Sequence, residues 1–279
     1  MKNILITGGT GTLGTHLTEK LLAENNITVL SRDEKKLVEL RNKHPSVRII
    51  VCDIRRPINV RYHLNYDTIF HCAALKHVDI GEQFPDEFFQ TNYTGTKNVW
   101  DLGEKIGVNN FVFFSTDKAV LPINAYGYSK AMAEKYLRTV GNAKIYRWGN
   151  ILGSRGSVLP TFIDCIRNNS PCVITDSRMT RFWLTIDEAT DYVLDTYDKS
   201  DETKDGLYIH PNIKAASLLT LVDALYLLFK KEPNVVFGEI RPGEKIHECI
   251  RTGHDYCIRS DTCQQYTYDE LKSKLSQYI

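Results

Sequence analysis

The chain has 279 residues with 35 Lys+Arg against 34 Asp+Glu, a net charge of +1, and is 42% hydrophobic and 25% charged. These proportions exclude a disordered chain, a collagen-like repeat and a coiled-coil rod, and the length allows one large domain or one medium and one small. A near-neutral balance without a basic run also speaks against nucleic-acid binding driven by bulk charge.

In chain order, Met1-Lys2-Asn3 runs straight into a strand-like stretch, Ile4 to Thr7, with no charged leader or cleavage site ahead of it. Gly8-Gly9-Thr10-Gly11-Thr12-Leu13-Gly14 follows, then a helical pattern from Leu13 to Asn25. Gly8, Gly11 and Gly14 have GxxGxxG spacing between a strand and a helix. There glycines permit a tight turn, close approach of backbone to a pyrophosphate and close helix-on-strand packing. The loop therefore predicts dinucleotide binding, with Thr10, Thr12 and Leu13 beside the glycines.

A second strand is expected at Thr28 to Leu30, and the residue at its end selects the cofactor, because an acid there bonds the ribose 2′-OH of NAD. Ser31 and Arg32 occupy the place, which points to NADP, with Arg32 on the 2′-phosphate and Ser31 assisting; NAD is the less favoured cofactor. The competing reading makes Arg32 a solvated loop residue and Asp33 the acid, displaced by one.

A helix is expected at Glu34 to Asn42 and a strand at Val47 to Val51. Asp53, with Ile54 beside it, is then placed to meet the adenine, unless it caps a helix. Further strands are expected at Thr68 to Phe70, Phe111 to Ser115 and Ala143 to Tyr146, with helices at Asp86 to Ile106, between Pro85 and Gly107, and at Tyr126 to Val140. The alternation predicts an α/β fold with a doubly wound parallel sheet, binding ligands at the carboxyl ends of its strands.

Tyr126-Gly127-Tyr128-Ser129-Lys130 sets Tyr126 and Lys130 on one helix face, where the ammonium would favour the phenolate and tune it for proton transfer. Tyr128, two residues from Lys130, points away from that face. From Gly149 to Arg181, glycines and prolines at 149, 153, 156, 160 and 171 loosen the pattern. It returns with a helix at Ile186 to Asp198 and a strand at Leu207 to His210. Beyond Ala216 come one apolar helix, Leu218 to Phe229, a strand at Val235 to Phe237 and a polar tail. The expected division is a cofactor domain of residues 1–151 and 181–213, and a smaller discontinuous C-terminal substrate lobe of residues 152–180 and 214–279. The 7 cysteines, at Cys52, Cys72, Cys165, Cys172, Cys249, Cys257 and Cys263, are odd in number and lack CxxC or Cys/His ligand spacing. Neither a disulfide framework nor a metal site is expected. With no apolar run long enough for a membrane span, the chain reads as cytoplasmic.

The glycine loop and the YxxxK pair together resemble an extended short-chain dehydrogenase/reductase, whose cofactor domain is a Rossmann fold. Five further stretches are similar to the inverting UDP-N-acetylglucosamine 4,6-dehydratases of the polysaccharide-biosynthesis group: His71 to Val78, Ser115 to Ala119, Asn150 to Ser157, Met179 to Trp183 and Arg241 to Lys245. Asp117-Lys118 is the most specific match. The resemblance implies that retaining dehydratases carry Asp-Glu at this strand end and 4-epimerases a small hydroxyl pair.

It further implies a mechanism. Hydride passes from sugar C4 to NADP⁺ while Tyr126 takes the 4-OH proton. Lys118 then removes the C5 proton, Asp117 protonates the departing 6-OH, hydride returns to C6, and C5 is reprotonated on the opposite face. Lys118 would need a depressed pKa to act as base. Thr116 would bond the 4-OH, and Lys130 the nicotinamide ribose. Ala73 and Ala74 would meet the cofactor. Asn92 would support the active-site strand. His77 is either a cleft residue or a packed one.

For the UDP-sugar, the implied ligands are Lys76, Asn150, Arg155, Ser157, Arg181, Arg241 and Glu244, although each arginine has a surface ion pair as its alternative. The resemblance implies a homo-oligomer with no nucleic-acid or membrane partner. It also marks the C-terminal lobe as short for the group. The remaining alternatives are a UDP-sugar 4-epimerase, a capsule-type dehydratase-epimerase whose relatives lack the tyrosine, and a non-catalytic NADP-binding sensor or scaffold.

Overall fold

In a computed structural model describing residues 1–58, 65–200, 203 and 205–279, the β-branched runs become strands and the amphipathic segments cover them. The strands are β1 (Asn3–Thr7), β2 (Asn26–Ser31), β3 (Arg48–Val51), β4 (Thr68–His71), β5 (Asn110–Thr116), β6 (Lys144–Trp148) and β7 (Asn150–Ile151). They continue with β8 (Cys172–Ile174), β9 (Thr180–Leu184), β10 (Leu207–Tyr208), β11 (Lys214–Ser217), β12 (Val235–Phe237), β13 (Cys249–Thr252) and β14 (Cys257–Arg259). The helices are α1 (Thr12–Leu21), α2 (Glu34–Lys43), α3 (Val78–Gln83), α4 (Pro85–Phe89), α5 (Gly95–Ile106), α6 (Ala125–Val140), α7 (Val158–Arg167), α8 (Ile186–Thr196), α9 (Leu218–Phe229) and α10 (Tyr268–Leu275).

The main sheet has 7 strands in the order β10-β6-β5-β4-β1-β2-β3, every neighbouring pair parallel. It is the doubly wound α/β sheet that the alternation predicts. Side chains along each strand alternate between two cores. Ile4, Ile6, Phe70, Val112 and Phe114 face one, with Leu17 of α1, Leu37 of α2 and Val193 of α8. Leu5, Ile69, Phe111 and Phe113 face the other, with Trp100 of α5 and Leu137 of α6. Strand order reverses between β1 and β4, and the carboxyl ends of these strands diverge there to leave a crevice.

A third core unites α7, α9 and α10 with Trp183 of β9. Its sheet runs β11-β9-β7, and β7 follows β6 after only Gly149. The chain can pass so tightly because a Cβ on Gly149 would lie 2.4 Å from Phe182 Cβ.

Several expectations need correction. The helix foreseen at 86–106 is interrupted by a π-helical turn, Gln90–Thr94, which carries Asn92. The first helix stops at Leu21, where the Asn25 side chain bonds the Leu21 carbonyl at 3.0 Å and competes with further helical pairing. The polar tail is structured. It holds the β13–β14 hairpin and α10, whose Thr267–Glu270 capping box starts a helix with Leu271 and Leu275 fully buried. The hairpin also folds Cys249 towards Cys257, with Cα atoms 6.6 Å apart, a local pair and not a disulfide framework. Among the described residues, no helix is long and apolar enough to cross a membrane.

Candidate active site

The β1–α1 turn shows why its glycines are required. Gly8 has φ +66°, and a Cβ there would sit 2.6 Å from Ala73 Cα; one on Gly14 would sit 2.6 Å from the Gly8 carbonyl oxygen. The loop therefore lies on the end of β4 and leaves its outer side to a cleft of about 780 Å³. Gly8, Gly11, Thr12, Leu13 and Gly14 line this cleft, with Ala74 opposite. Thr10 turns aside, its hydroxyl 3.0 Å from that of Ser31.

At the end of β2, Arg32 is exposed, whereas Asp33 caps α2 by accepting from Lys36 N at 3.1 Å and pairs with Lys36 Nζ at 2.9 Å. Lys36, which spacing had not singled out, lines the cleft; Ser31 and Arg32 do not. Asp53 is bound by the Arg55 guanidinium at 2.6 to 3.0 Å, and Ile54 is a core residue packed at Gly95. Neither Asp53 nor Ile54 lines the cleft.

Across the cleft from the glycine loop stands a cluster of ionisable residues. The end of β5 and the single turn after it present Thr116, Asp117 and Lys118. Lys118 Nζ donates to Asp117 Oδ1 at 3.0 Å and to Asn150 Oδ1 at 3.4 Å, and lies 3.3 Å from Glu248 Oε1. Asp117 is fully buried and its Oδ2 has no hydrogen-bond partner. Helix α6 approaches this turn so closely that a Cβ on Gly127 would fall 2.2 Å from the Lys118 carbonyl oxygen. Asn124 holds the approach, accepting from Gly127 N at 2.7 Å and donating to the Gly243 carbonyl at 2.8 Å. Tyr126 thereby lines the cleft, while Tyr128 is 50% exposed outside it.

The electrostatics reverse two expectations. Burial alone would lower the Lys118 pKa, but the carboxylates of Asp117 and Glu248 outweigh it and hold the amine protonated. Burial instead lowers Lys130, to about 7, with its Nζ 3.8 Å from the Phe113 ring centroid. Burial also raises the Tyr126 phenol, countered by its hydrogen bond with Thr116 and by the charge of Lys118. Lys118 is thus one cation whose charge favours the Tyr126 phenolate. Asp117 is raised by burial, an effect opposed by Lys118 and reinforced by Glu248.

On the far wall, Arg181 is buried and donates to the carbonyls of Thr180 at 2.8 Å and Ile246 at 3.0 Å. Ser157 precedes α7 with its buried hydroxyl unpartnered. Lys76 Nζ donates to Ser154 Oγ at 3.2 Å, and Glu244 accepts from Arg241 N at 3.1 Å. Asn150, Ser157, Arg181, Lys76, Arg241 and Glu244 all line the cleft. Arg155 also does, but at the glycine-loop end: its N donates to Thr12 Oγ1 at 3.2 Å and its guanidinium to the Thr10 carbonyl. Gly153 and Gly156, at φ +68° and +69°, turn its loop back over β1–α1. His77 lines the cleft with its ring against Gly156. Asn92 grips Leu75 N and O, each at 2.8 Å, and so supports the loop after β4.

Glu248 is the residue that sequence reasoning missed. It lies three positions past the matched Arg241 to Lys245 stretch, in a loop with no periodicity to mark which way it faces.

A parallel sheet of this order, with a glycine loop after β1 and a Tyr/Lys helix after β5, defines a short-chain dehydrogenase/reductase of the extended type. The chain belongs to the polysaccharide biosynthesis protein family, whose model matches residues 4–270. It is 36% identical over 272 residues to a UDP-N-acetylglucosamine 4,6-dehydratase (inverting) of Campylobacter jejuni, covering 91% of this chain and 78% of that protein. It is 33% identical over 284 residues to a UDP-glucose 4-epimerase of Rickettsia rickettsii, covering 95% and 82%. Among solved structures, Pen from Bacillus thuringiensis superposes with a TM-score of 0.87 at 28% identity, covering 99% of this chain and 97% of that one.

Proposed function

We propose that this chain is an NADP-dependent hydro-lyase, a UDP-N-acetylglucosamine 4,6-dehydratase that inverts C5 of its substrate, a UDP-N-acetylhexosamine. The carrying observation is the Asp117–Lys118 hydrogen bond of 3.0 Å at the end of β5, in the same cleft as Tyr126 and the glycine loop. A 4-epimerase needs one proton acceptor at the 4-OH; a 4,6-dehydratase needs in addition a base for C5 and an acid for the 6-oxygen.

The glycine loop, packed so closely on β2, on β4 and on itself that Gly8, Gly9 and Gly14 have no room for a Cβ, and the α1 N-terminus fit a nicotinamide dinucleotide pyrophosphate. Bound there, the cofactor supplies reversible hydride exchange. Asp33 is committed to its own helix and to Lys36, which leaves the exposed Arg32 at the end of β2, outside the cleft lining, as the cation for a 2′-phosphate and favours NADP over NAD. Asp53 and Ile54 support this end from outside the cleft, and Arg155 covers the loop.

At the sugar, Tyr126 accepts the 4-OH proton and Thr116 orients that hydroxyl, while Lys130 holds the ribose. Lys118 rests as an ammonium hydrogen-bonded to Asp117, whose buried carboxyl is pushed towards its protonated form. Shifting one proton along their hydrogen bond creates what dehydration requires, an amine facing C5 and a carboxylic acid facing the 6-oxygen. Lys118 takes the C5 proton, Asp117 releases its proton to the leaving hydroxyl, and the protonated Lys118 can return a proton to C5 on the other face. Arg181, Arg241, Lys76, Asn150, Ser157 and Glu244 bind the UDP-sugar.

Residues 1–151 and 181–213 form the cofactor domain in this reading, and 152–180 with 214–279 the sugar-nucleotide lobe. We also assign a cytoplasmic location and a homo-oligomeric state, the latter supported by the exposed Met132 and Tyr128 on α6.

The test is incubation with UDP-GlcNAc and NADP⁺ in D₂O, followed by NMR. A UDP-4-keto-6-deoxy sugar with deuterium at an inverted C5 is expected. UDP-GalNAc without loss of water would identify an epimerase instead.

A further inference from the structure

Glu248 is 2% exposed, yet it lies at the cleft and not at the surface of a subdomain. Its backbone is pinned on both sides by Ser260, with Glu248 N donating to Ser260 Oγ and Ser260 N to the Glu248 carbonyl, each at 2.9 Å. The side chain reaches Lys118 Nζ with Oε1 at 3.3 Å and Lys245 Nζ with Oε2 at 3.5 Å, and Oε2 has no hydrogen-bond partner. A buried carboxylate is costly, and buried ion pairs seldom stabilise a fold more than apolar side chains of the same size. Packing alone therefore does not account for an acid here.

We propose that Glu248 is the positioning residue of the Asp117–Lys118 pair: its carboxylate fixes Lys118 Nζ opposite Asp117 and retains one proton within the pair. The inference rests on the dehydratase reading. The charged and titratable groups around it are Lys118, Asp117 and Tyr126 on the β5 and α6 side, and Arg181 and Lys245 on the lobe side. Burial opposes ionisation of Glu248, but Lys118, Arg181 and Lys245 together keep it ionised. Its negative charge raises both the Lys118 ammonium and the Asp117 carboxyl. Acting on both members, it opposes loss of their shared proton to solvent without blocking movement of that proton from one to the other. The C5 base and the 6-oxygen acid thus come from one retained proton.

The test compares wild type, Glu248→Gln and Glu248→Asp for turnover of UDP-GlcNAc across pH, C5 deuterium incorporation and thermal melting. Glu248→Gln keeps the shape and removes the charge. It should lower kcat about tenfold or more with KM changed less, slow C5 deuterium incorporation equally, and move the alkaline limb of kcat/KM to lower pH by about one unit or more. Glu248→Asp should recover part of the turnover and show a smaller shift of that limb, which also serves as the readout if Glu248→Gln does not fold. Wild-type turnover and pH profile in Glu248→Gln would overturn the proposal. So would a loss of turnover in either variant that follows its melting temperature with the pH profile unmoved. If wild type releases no water from UDP-GlcNAc, both the dehydratase reading and this proposal fall, whereas dehydration unaffected by the variants removes only the latter.

Discussion

At the scale of single residues, the site depends on what is absent as much as on what is present. Gly127 has no side chain where a Cβ would press 2.2 Å from the Lys118 carbonyl, so Gly127→Ala must push α6 away from the β5 turn and carry Tyr126 with it. We expect that change to cost about 1–3 kcal/mol of stability and most of the dehydratase turnover, measured by urea unfolding and by product NMR. Lys118→Ala should abolish C5 deuterium incorporation while leaving cofactor binding, followed by fluorescence, intact. Full dehydratase turnover in that variant would remove Lys118 as the base. His71 is a different case. It is buried between Thr7 at 2.6 Å and Thr96 at 2.9 Å, and burial, aided by the charge of Lys130, lowers its pKa from 6.5 to about 3. The folded state therefore holds His71 neutral while the unfolded chain binds a proton. Its contribution is complete above pH 6.5 and is lost as pH falls toward 3, at up to about 1.4 kcal/mol per pH unit. Urea titrations from pH 7 to 4 should show that slope, and His71→Asn should flatten it.

At the scale of elements, legibility followed the physics of each segment. The parallel strands carry β-branched and aromatic residues buried on both faces and stand out as apolar runs; β4 is buried at every position. Helix α7 was hidden because Pro160 reads as a breaker, although a proline in the first turn lacks only an N–H that has no helical partner there. Helix α10 was hidden by its polar surface, yet the Thr267-x-x-Glu270 capping box was readable. Thr267→Ala should cost about 1 kcal/mol and Leu271→Ala, at a fully buried position, about 2–5 kcal/mol. Both should appear in thermal melts, and Leu271→Ala should weaken UDP binding more than NADP binding, because its core supports the lobe that we propose binds the sugar nucleotide.

At the scale of the whole molecule, the two proposed lobes are tied by hydrogen bonds in the cleft and behind it. Arg155 reaches the Thr10 carbonyl, Lys245 donates to Val120 O at 2.7 Å and Arg147 to Ile250 O at 2.7 Å. A ligand bound at this junction stabilises the folded state by mass action, about 2.7 kcal/mol at a hundredfold excess over Kd. NADPH should therefore raise the melting temperature more than NADH at equal concentration, and UDP should add a further rise; an equal response to NADH would remove the NADP assignment. The sequence by itself determined the alternation of strands and helices, the glycine loop and the adjacent Asp117–Lys118 pair, because these are local in spacing and depend on residue type. Only the tertiary structure decided the charge of the site. Burial and the approach of Glu248, 130 positions along the chain from Lys118, keep Lys118 protonated and leave Lys130 near 7. A pKa depends on which groups lie within a few ångströms in a low-dielectric interior, and linear order does not encode that distance.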